Sequence, residues 1–507
     1  MQVGITGGTN TEELSVQGVG CSNSTTLTTT GEVDVYAHGK IGLSSTGCAG
    51  TDSALAVGTT ATIHGTLAAD VGNGGNRQLA GTFVSDGTIQ VDEPLTASSP
   101  GSITNKGTLN ATALFNVSGS ASFVNDSGTI ASTGAGQVEA TSSSTFTERA
   151  GTTTGTPILV SSSHLAFTGS GASSFVANAA VTVAGDVSAG QLLTIQAVGC
   201  SFSTSVTAGA SFTNAGSIHL SSAGCAGATS TLVVPAGDTL TNSGTISSDV
   251  ANGGARFLEA TVVNTGSMVV NQSVTYDQPG TRFTNQGSID LATGTVFSFT
   301  ANGSELRNQS GHIVSAGTGQ VQMGAGTTFT QVGGDTSGTP VLVTSGTLAF
   351  TGSGAPAAFV THASVAVSGN IAAGQSVTVE AVGCSFSSSL TGSASFVNAG
   401  TIHLSSGGCA GATSTLSMVA GTLTNNGTIS VDLANGGARF LEGAITNAAA
   451  GTVKVDQPLT YDTATTFTNQ GLLTLTQPFT VTSSGATFLG GAGTISASGL
   501  GQVVVSG

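Results

Sequence analysis

Apolar and polar residues alternate over short stretches along most of the chain. In GSIHLSS, Ile218 and Leu220 would point to one side of an extended backbone, and His219 to the other. Val, Ile, Phe and Thr fill these stretches, and they are typical strand formers. Gly and Asn, which interrupt strands, follow at regular offsets. The pattern predicts many short strands, each with one buried face.

A short motif recurs at these interruptions: Phe or Leu, then Asn, Gly and Ile at fixed offsets. It reads SFTNAGSIHL at 211–220 and SFVNAGTIHL at 395–404. Its period of about two dozen residues is too short for a unit to bury its own core, so units must stack on their neighbours. We predict an all-β parallel β-helix (β-solenoid) of about 22 rungs of roughly 20–25 residues each, where a rung is one full turn of the backbone.

Each motif residue has an expected place in a rung. Phe212 would fill the interior, Asn214 would lie at the bend, Gly216 would take a positive φ, and Ile218 would return to the core. Stacked primary amides can bond to one another at the ~4.8 Å strand spacing. Ser85, Glu148 and Gln331 occupy the Asn position in other rungs. The predicted ladder comprises Asn105, Asn125, Asn214, Asn242, Asn264, Asn285, Asn308, Asn398, Asn425, Asn447 and Asn469.

Longer copies overlie the short period. VGCSNS at 19–24 returns as VGCSFS at 198–203 and 382–387. We predict a single continuous solenoid over 1–507 made of three long repeats, at 1–179, 180–363 and 364–507. The third repeat is truncated and the chain begins without the features of a signal peptide. We therefore expect the chain to be a piece of a longer protein.

Composition narrows the class of protein. Only 7% of the residues are charged, the formal net charge is −16, and the nine basic residues are scattered. The basic surface that binds nucleic acid is therefore missing. No apolar run approaches the ~20 residues of a membrane helix, so we expect no membrane insertion by this segment. A disordered linker is disfavoured, because 38% of the residues are hydrophobic and recur in register.

The six cysteines fall into three pairs about one rung apart. We predict that each pair stands on adjacent rungs and forms a disulfide bond, the alternative being buried free thiols. We expect no zinc site or other metal, because Cys-x-x-Cys is absent and no His pairs accompany the thiols. The predicted bonds are Cys21–Cys48, Cys200–Cys225 and Cys384–Cys409.

The most distinctive polar stretch is DVANGGAR and its two relatives. One interpretation is a ligand loop that presents a carboxylate, an amide and a guanidinium to a sugar. The other is an Asn-Gly-Gly turn held by an Asp–Arg pair, which is the commoner arrangement. The residues concerned are Asp70, Arg77, Asp249, Arg256, Asp432 and Arg439.

Signals of catalysis are weak. Polysaccharide-cleaving β-helices need clustered acids, and the nearest candidates are Asp277 with Glu259 and Asp456 with Glu442. Nucleophile-elbow, phosphate-loop and calcium-loop motifs are absent, so we predict no enzyme activity, no catalytic residues and no cofactor. Outward Thr residues, as in LTLT at 473–476, could form a flat array that binds ice, but their positions do not recur from rung to rung.

The motif and the long repeats resemble bacterial surface proteins built of β-strand repeats. They are more distantly similar to the β-helical shafts of filamentous-haemagglutinin-type adhesins. The resemblance covers most of the chain and implies a secreted shaft at the bacterial cell surface. We predict a non-enzymatic structural shaft of an extracellular fibre or adhesin, a stiff spacer reinforced by disulfides. Its partners would be other copies, end to end, or surface glycans. A carbohydrate-binding module is the alternative, followed by an ice-binding or polysaccharide-degrading β-helix.

Overall fold

The architecture is that of a parallel β-solenoid. A computed structural model describes residues 1–4, 12–46, 48–70, 72, 74–200, 202–223, 225–249, 253–352, 354–407, 409–431 and 436–506. These residues form strands and no helix, and they divide into two compact units, Met1–Glu259 and Ala260–Gly507. The predicted all-β parallel β-helix is confirmed, with about 21 rungs.

The strands of the first unit are mostly three to seven residues long. Successive side chains alternate between buried positions, which are mostly apolar, and outward positions. They span Gln2–Val3, Glu12–Gly18, Thr25–Thr29, Val33–Val35, Gly39–Ser45, Ser53–Ile63, Thr66–Ala69, Arg77–Ser85, Thr88–Val91, Leu95–Asn105, Thr108–Ala111, Leu114–Val117, Ser122–Asn125, Thr129–Ser132, Gln137–Thr141, Thr145–Glu148, Thr152–Gly155, Ile158–Ser161, His164–Phe167, Ser174–Asn178, Ala180–Ala184, Leu192–Ala197, Thr204–Ala208, Phe212–Asn214, Ser217–Ser222, Ser230–Val233, Thr239–Asn242, Thr245–Ser248 and Arg256–Glu259.

The strands of the second unit follow the same pattern. They span Thr261–Asn264, Ser267–Val270, Val274–Tyr276, Arg282–Asn285, Ser288–Leu291, Val296–Phe299, Glu305–Asn308, His312–Ser315, Gln320–Met323, Thr328–Gln331, Asp335–Gly338, Val341–Thr344, Thr347–Phe350, Ala357–His362, Ser364–Ser368, Gln375–Ala381, Ser388–Gly392, Phe396–Asn398, Thr401–Ser406, Ser414–Asn425, Thr428–Val431, Arg439–Asn447, Thr452–Val455, Leu459–Tyr461, Thr466–Asn469, Leu472–Leu475, Phe479–Val481, Thr487–Leu489, Thr494–Ala497 and Val503–Val505.

Three strands make up a typical rung, one on each of three faces. In the first unit we call these face 1, which contains Ser122–Asn125, face 2, which contains Thr129–Ser132, and face 3, which contains Gln137–Thr141. Each strand pairs in parallel with its equivalent one rung on, so that Phe123 lies over Phe146 on face 1. Backbone hydrogen bonds therefore run along the solenoid on all three faces.

Stacked aromatic rings fill the interior. The rings of Phe123 and Phe146 are stacked with centroids 5.1 Å apart, and Phe175 meets Phe146 edge-on at 5.5 Å. In the second unit Phe467 stacks on Phe488 at 5.7 Å. Burying a side chain of this size contributes about 1.5–3 kcal/mol relative to exposure. The apolar positions predicted from the period of two thus form the core.

The repeated motif changes face within the first unit. In the first repeat the strand after the motif Asn, such as Thr129–Ser132, lies on face 2. In the second repeat the equivalent strand, Ser217–Ser222, lies on face 3. The pairings that connect it to face 3 pass in succession through Glu139, Leu159, Val176, Thr194 and His219. The motif has therefore advanced by one face of the solenoid.

Short rungs cause this advance. Leu159 pairs with Val176, 17 residues on, and Val176 pairs with Thr194 after 18 more, whereas the next step to His219 is 25. In these short rungs face 2 is reduced to isolated contacts, such as the bridge between Thr152 and Ala172. Because these rungs lack one strand, the next motif in the first unit stands one face further on.

The second unit also contains short rungs. Leu342, Val360 and Thr378 pair at intervals of 18 residues, and Thr378 pairs with His403 after 25. The strand Thr401–Ser406 thereby joins the column of Gln322, although His312–Ser315, the strand after the motif residue Asn308, lies on another face. The predicted boundaries of the three long repeats remain a prediction, since compactness divides the chain elsewhere, at Glu259.

Candidate functional site

The motif Asn side chains form ladders inside each unit. In the second unit Asn425 Nδ2 donates to Asn447 Oδ1, and Asn447 Nδ2 donates to Asn469 Oδ1, each at 2.8 Å. The same nitrogen of Asn447 also donates to the carbonyl of Leu472 at 3.1 Å. In the first unit Asn214 Nδ2 donates to Asn242 Oδ1 at 2.7 Å. These side chains are fully buried, so the ladder replaces the water that their amides would otherwise bind.

The ladders occur in separate runs because the motif changes face. Besides the pairs above, the bonds join Asn105 to Asn125, Asn264 to Asn285, Asn285 to Asn308, and Asn398 to Asn425. The positions after Asn125 and Asn308 carry Glu148 and Gln331. Each of these then pairs with a phenylalanine rather than another amide, and the run ends there.

Glu148 ends the first run as a buried acid. Its Oε2 accepts hydrogen bonds from Asn125 Nδ2 at 3.2 Å and from Ser173 Oγ at 3.0 Å. Burial raises the pKa of the Glu148 carboxyl, and the hydrogen bonds from Asn125 and Ser173 oppose that rise in part. Gln331 holds the equivalent place in the second unit, where its Nε2 donates to the carbonyl of Gly334. A neutral amide therefore fits this position without an ionisable group.

The prediction that the motif glycine takes a positive φ is wrong. Gly216 and Gly244 do not have a left-handed backbone. A Cβ at Gly244 would instead lie 2.7 Å from the carbonyl carbon of Ala215 and would collide with the carbonyl oxygen of Gly216. Glycine is required because stacked corners approach too closely for a side chain, not because of a positive φ.

The three predicted disulfides are confirmed. Each joins two successive rungs at a corner, with Cα atoms 4.6, 4.6 and 4.5 Å apart. A main-chain bond runs beside each of them; in the second repeat Cys225 N donates to the carbonyl of Gly199 at 3.0 Å. All six cysteines are accounted for. The bond therefore fastens two loops that already stack.

The arginines of the Asn-Gly-Gly loops are buried. Arg77, Arg256 and Arg439 expose 1%, 3% and 2% of their surface. Their guanidinium groups donate to carbonyls of their own loops; for Arg77 these are Gly75 at 2.8 Å and Asp70 at 3.1 Å. Burial lowers the pKa of both Arg77 and Arg256. A ligand in solution cannot reach these groups unless the loop opens.

The aspartates of the same loops have other partners. The Asp70 carboxylate lies 3.1 Å from Lys40 Nζ, and Asp249 lies 3.7 Å from His219 Nδ1. Asp432 lies outside the described residues. A cleft of about 310 Å³ adjoins Arg439, with Gln457 and Pro458 in its wall. Because Arg439 bonds to Gly437 and is buried, this wall offers mainly backbone and small side chains.

A buried serine that the sequence analysis missed links the two kinds of loop. Ser222 Oγ donates to the carbonyl of Ala228 in the cysteine loop at 3.0 Å and accepts from Gly254 N at 2.9 Å. Ser45 and Ser406 make the equivalent bonds in the other repeats. Their repetition after IGL and IHL was a signal for this role. The disulfide loop and the arginine loop therefore form one braced corner over three rungs.

Two phenylalanines stand out on the surface of these corners. Phe202 and Phe386 are 67% and 70% exposed, whereas the stacked rings of Phe123, Phe146 and Phe175 are fully buried. Each lies in a tight hairpin, paired with Val198 or Val382 in an antiparallel bridge. The first repeat has Asn23 at this position. The only sequence signal was an apolar residue out of period between two serines.

Two of the candidate acids, Asp456 and Asp277, bond to neighbouring ammonium or hydroxyl groups. Asp456 forms an ion pair with Lys454 at 2.6 Å and accepts a hydrogen bond from Thr476 at 3.2 Å. Asp277 accepts from Thr300 at 2.9 Å. Among the residues with described positions, no group of three His, Cys, Asp or Glu side chains could hold a metal ion.

No helix in the described part of the chain has the length and hydropathy to span a lipid bilayer. A scan of protein-family models finds no match to the chain, and a search of curated proteins also finds none. The functional argument therefore depends on the residues themselves.

Proposed function

We propose that the chain is a non-enzymatic structural shaft of an extracellular bacterial surface fibre or adhesin. The observation that carries this proposal is the redundancy of bonds between rungs. Parallel backbone pairing, buried amide ladders and inter-rung disulfides all act along the solenoid. Opening one rung requires several of these bonds to break together, which suits a part that must resist local unfolding.

The proposed location is the bacterial cell surface or the extracellular space. Disulfides persist in oxidising compartments, and six of six cysteines are paired here. The low content of charged residues leaves few sites for proteases specific for Lys or Arg. The resemblance to bacterial β-strand-repeat proteins and to haemagglutinin-type shafts supports the same location. We propose other copies, end to end, or surface glycans as partners.

Immunogold electron microscopy of cells that produce the protein tests this proposal. Antibody against the oxidised chain should label filaments or the outer surface of intact cells. Label confined to the cytoplasm would refute the proposal. Incubation of the chain with a panel of polysaccharides, followed by a reducing-end assay, tests the non-enzymatic part. Release of reducing ends would contradict it.

A second candidate, ice binding, is favoured by one specific observation. Outward Thr side chains stand in register on face 2 of the first unit, in five successive rungs. The sequence interpretation that Thr positions do not recur from rung to rung is therefore wrong for this column. The column comprises Thr66, Thr88, Thr108, Thr129 and Thr152. Such hydroxyl and methyl groups repeat at about 4.8 Å between rungs, which can order water in a lattice.

Thermal hysteresis separates this candidate from the shaft alone. If the column binds ice, the native chain should depress the freezing point below the melting point, and Thr108→Lys should abolish the gap. Absence of any gap in the native chain would exclude the ice-binding candidate and leave the shaft proposal untouched.

A further inference from the structure

The exposed rings of Phe202 and Phe386 belong to loops that are held rigidly. Each ring follows a disulfide cysteine by two residues. The residue after the ring is also fixed: Ser203 Oγ accepts from Thr229 N, and Ser387 Oγ from Thr413 N, both at 3.1 Å. The side chain is therefore presented from a loop fastened on both sides.

A carbon of each ring lies close to a glycine. A Cβ built on Gly199 would lie 3.7 Å from a ring carbon of Phe202, and one on Gly383 would lie 3.6 Å from Phe386. Both glycines have positive φ, 68° and 66°, so the hairpin depends on them. Apart from this approach, most of the side chain is open to solvent.

The segments of the chain that carry the two rings are uncharged. The sequence contains no Asp, Glu, Lys or Arg from 187 to 237 or from 381 to 431. Most residues of these segments are Ser, Thr, Ala or Gly. A partner that relied on ion pairs would find none in these segments. The chemistry points to a neutral partner that offers C–H groups to a ring and hydroxyls to its rim.

We propose that Phe202 and Phe386 are platforms for neutral saccharides. The apolar C–H face of a pyranose would stack on the exposed ring, because partly positive hydrogens favour the negative π-face of an aromatic ring. The rigid loop lowers the entropy lost on binding. Each platform would bind a saccharide by itself. This inference does not rest on the shaft proposal.

The observations favour a saccharide over two other classes of partner. A stable protein interface buries about 1,200–2,000 Å² in total, far more than one ring on a narrow tip can provide. Lipid headgroups of bacterial membranes are largely anionic, and the chain carries a net charge of −16 with no basic residue in the segments that carry the rings. Binding to a protein or to lipid instead of a saccharide would therefore contradict the proposal.

Retention on immobilised polysaccharides provides the first measurement. The oxidised full chain would be passed over cellulose, chitin, mannan and galactan in turn. At least one should retain it, and the double variant Phe202→Ser/Phe386→Ser should lose about tenfold of that retention, because each stacking contact is removed. Val419→Ser is the matched control, since Val419 is 74% exposed but lies outside the cysteine loops. Retention of the double variant equal to that of the native chain would overturn the proposal, as would no retention of the native chain by any of the four.

The first repeat offers a gain-of-function test. Asn23 occupies the ring position in the loop of Cys21. Asn23→Phe should add a third platform and raise retention on the same polysaccharide. Unchanged retention would count against the proposal, provided that circular dichroism shows the native fold.

A fluorescent reporter distinguishes saccharide from lipid. The chain lacks Trp, so Phe386→Trp introduces a single tryptophan at the platform. Its emission should shift on addition of the retained polysaccharide and remain constant with phosphatidylcholine vesicles. A shift with vesicles alone would overturn the saccharide assignment.

Discussion

At the scale of the residue, the buried amides decide the structure of each corner. An Asn side chain has donors and acceptors on both sides, so it can bond to the rung above, the rung below and the backbone. Asn447 does all three, with Asn425, Asn469 and Leu472. A hydroxyl is too short for this, and an acid carries a charge that the interior disfavours.

Glu148 is the exception that can be tested by pH. Burial raises its pKa above the ordinary value of 4.5. The folded state then holds the proton more tightly than the unfolded state. The contribution of Glu148 to the free energy of unfolding is therefore fully present below about pH 4.5 and is lost as the pH rises through the folded-state pKa. Glu148→Gln should be more stable than the native chain at pH 7, and the difference should vanish below pH 4.5. Guanidinium denaturation over a pH series measures this.

The second unit allows the opposite substitution to be tested at the equivalent position. Gln331 occupies the equivalent position, so Gln331→Glu should destabilise the second unit at pH 7 and have little effect below pH 4.5. If Glu148→Gln were the less stable protein at pH 7, the acid would be making bonds that the amide cannot replace.

The corner glycines give a second prediction at this scale. A Cβ at Gly427 would lie 2.7 Å from the carbonyl carbon of Ala399 and would collide with the carbonyl oxygen of Gly400. Gly427→Ala should lower the free energy of unfolding by about 1–3 kcal/mol, the usual range for overpacking. Gly490→Ala is the control, because a Cβ there has no heavy atom within 4 Å. Equal effects of the two substitutions in chemical denaturation would show that collision is not the reason for glycine.

At the scale of the element, the sequence predicts strands and corners well. The period of two and the motif Asn correctly indicated which side chains face inward, for instance Ile218 and Leu220 in Ser217–Ser222. Even spacing of the cysteines was enough to pair them. Burial of Arg77 was not predictable, since a charged side chain is rarely buried and only the loop conformation brings carbonyls to it.

Removing one amide from a ladder should weaken the strands that it connects. Asn447→Ala would leave the buried groups of Asn425 and Asn469 without their partner. We expect a loss of about 2–4 kcal/mol, because unmade buried hydrogen bonds cost more than exposed ones gain. Asn110→Ala is the control, since Asn110 bonds to Gln90 at 3.2 Å at a partly exposed position. A loss from Asn447→Ala no larger than that from Asn110→Ala in urea denaturation would mean that the ladder contributes little.

Removing one disulfide should destabilise mainly the corner that contains it. The double variant Cys384→Ser/Cys409→Ser opens a loop of 25 residues, whose closure stabilises by about 3 kcal/mol on the chain-entropy model. Hydrogen exchange should accelerate in the peptides around Gly383 and Cys409 and stay slow around Asn447. Uniform acceleration over the second unit would instead indicate a bond that supports the whole unit.

At the scale of the whole molecule, the advance of the motif by one face could not be read from the sequence. The residues 156–191 look like further rungs, because GTPILV and LAFTGSGA carry the usual alternation. Only the pairings show that one strand per rung is missing there. Within the first unit the Cys21 loop therefore lies between faces 2 and 3, and the Cys200 loop between faces 3 and 1.

The central claim is that successive rungs stack in parallel with like residues in register, and a pair of engineered cysteines tests it most directly. Thr446 and Thr468 are register partners, whereas Thr474 pairs with Lys454 on another face. Cysteines at 446 and 468 should be within the ~4.4–6.8 Å Cα range of a disulfide and should be joined after mild oxidation, as peptide mapping by mass spectrometry would show. Cysteines at 446 and 474 should remain separate. Joining of the second pair but not the first would contradict the account.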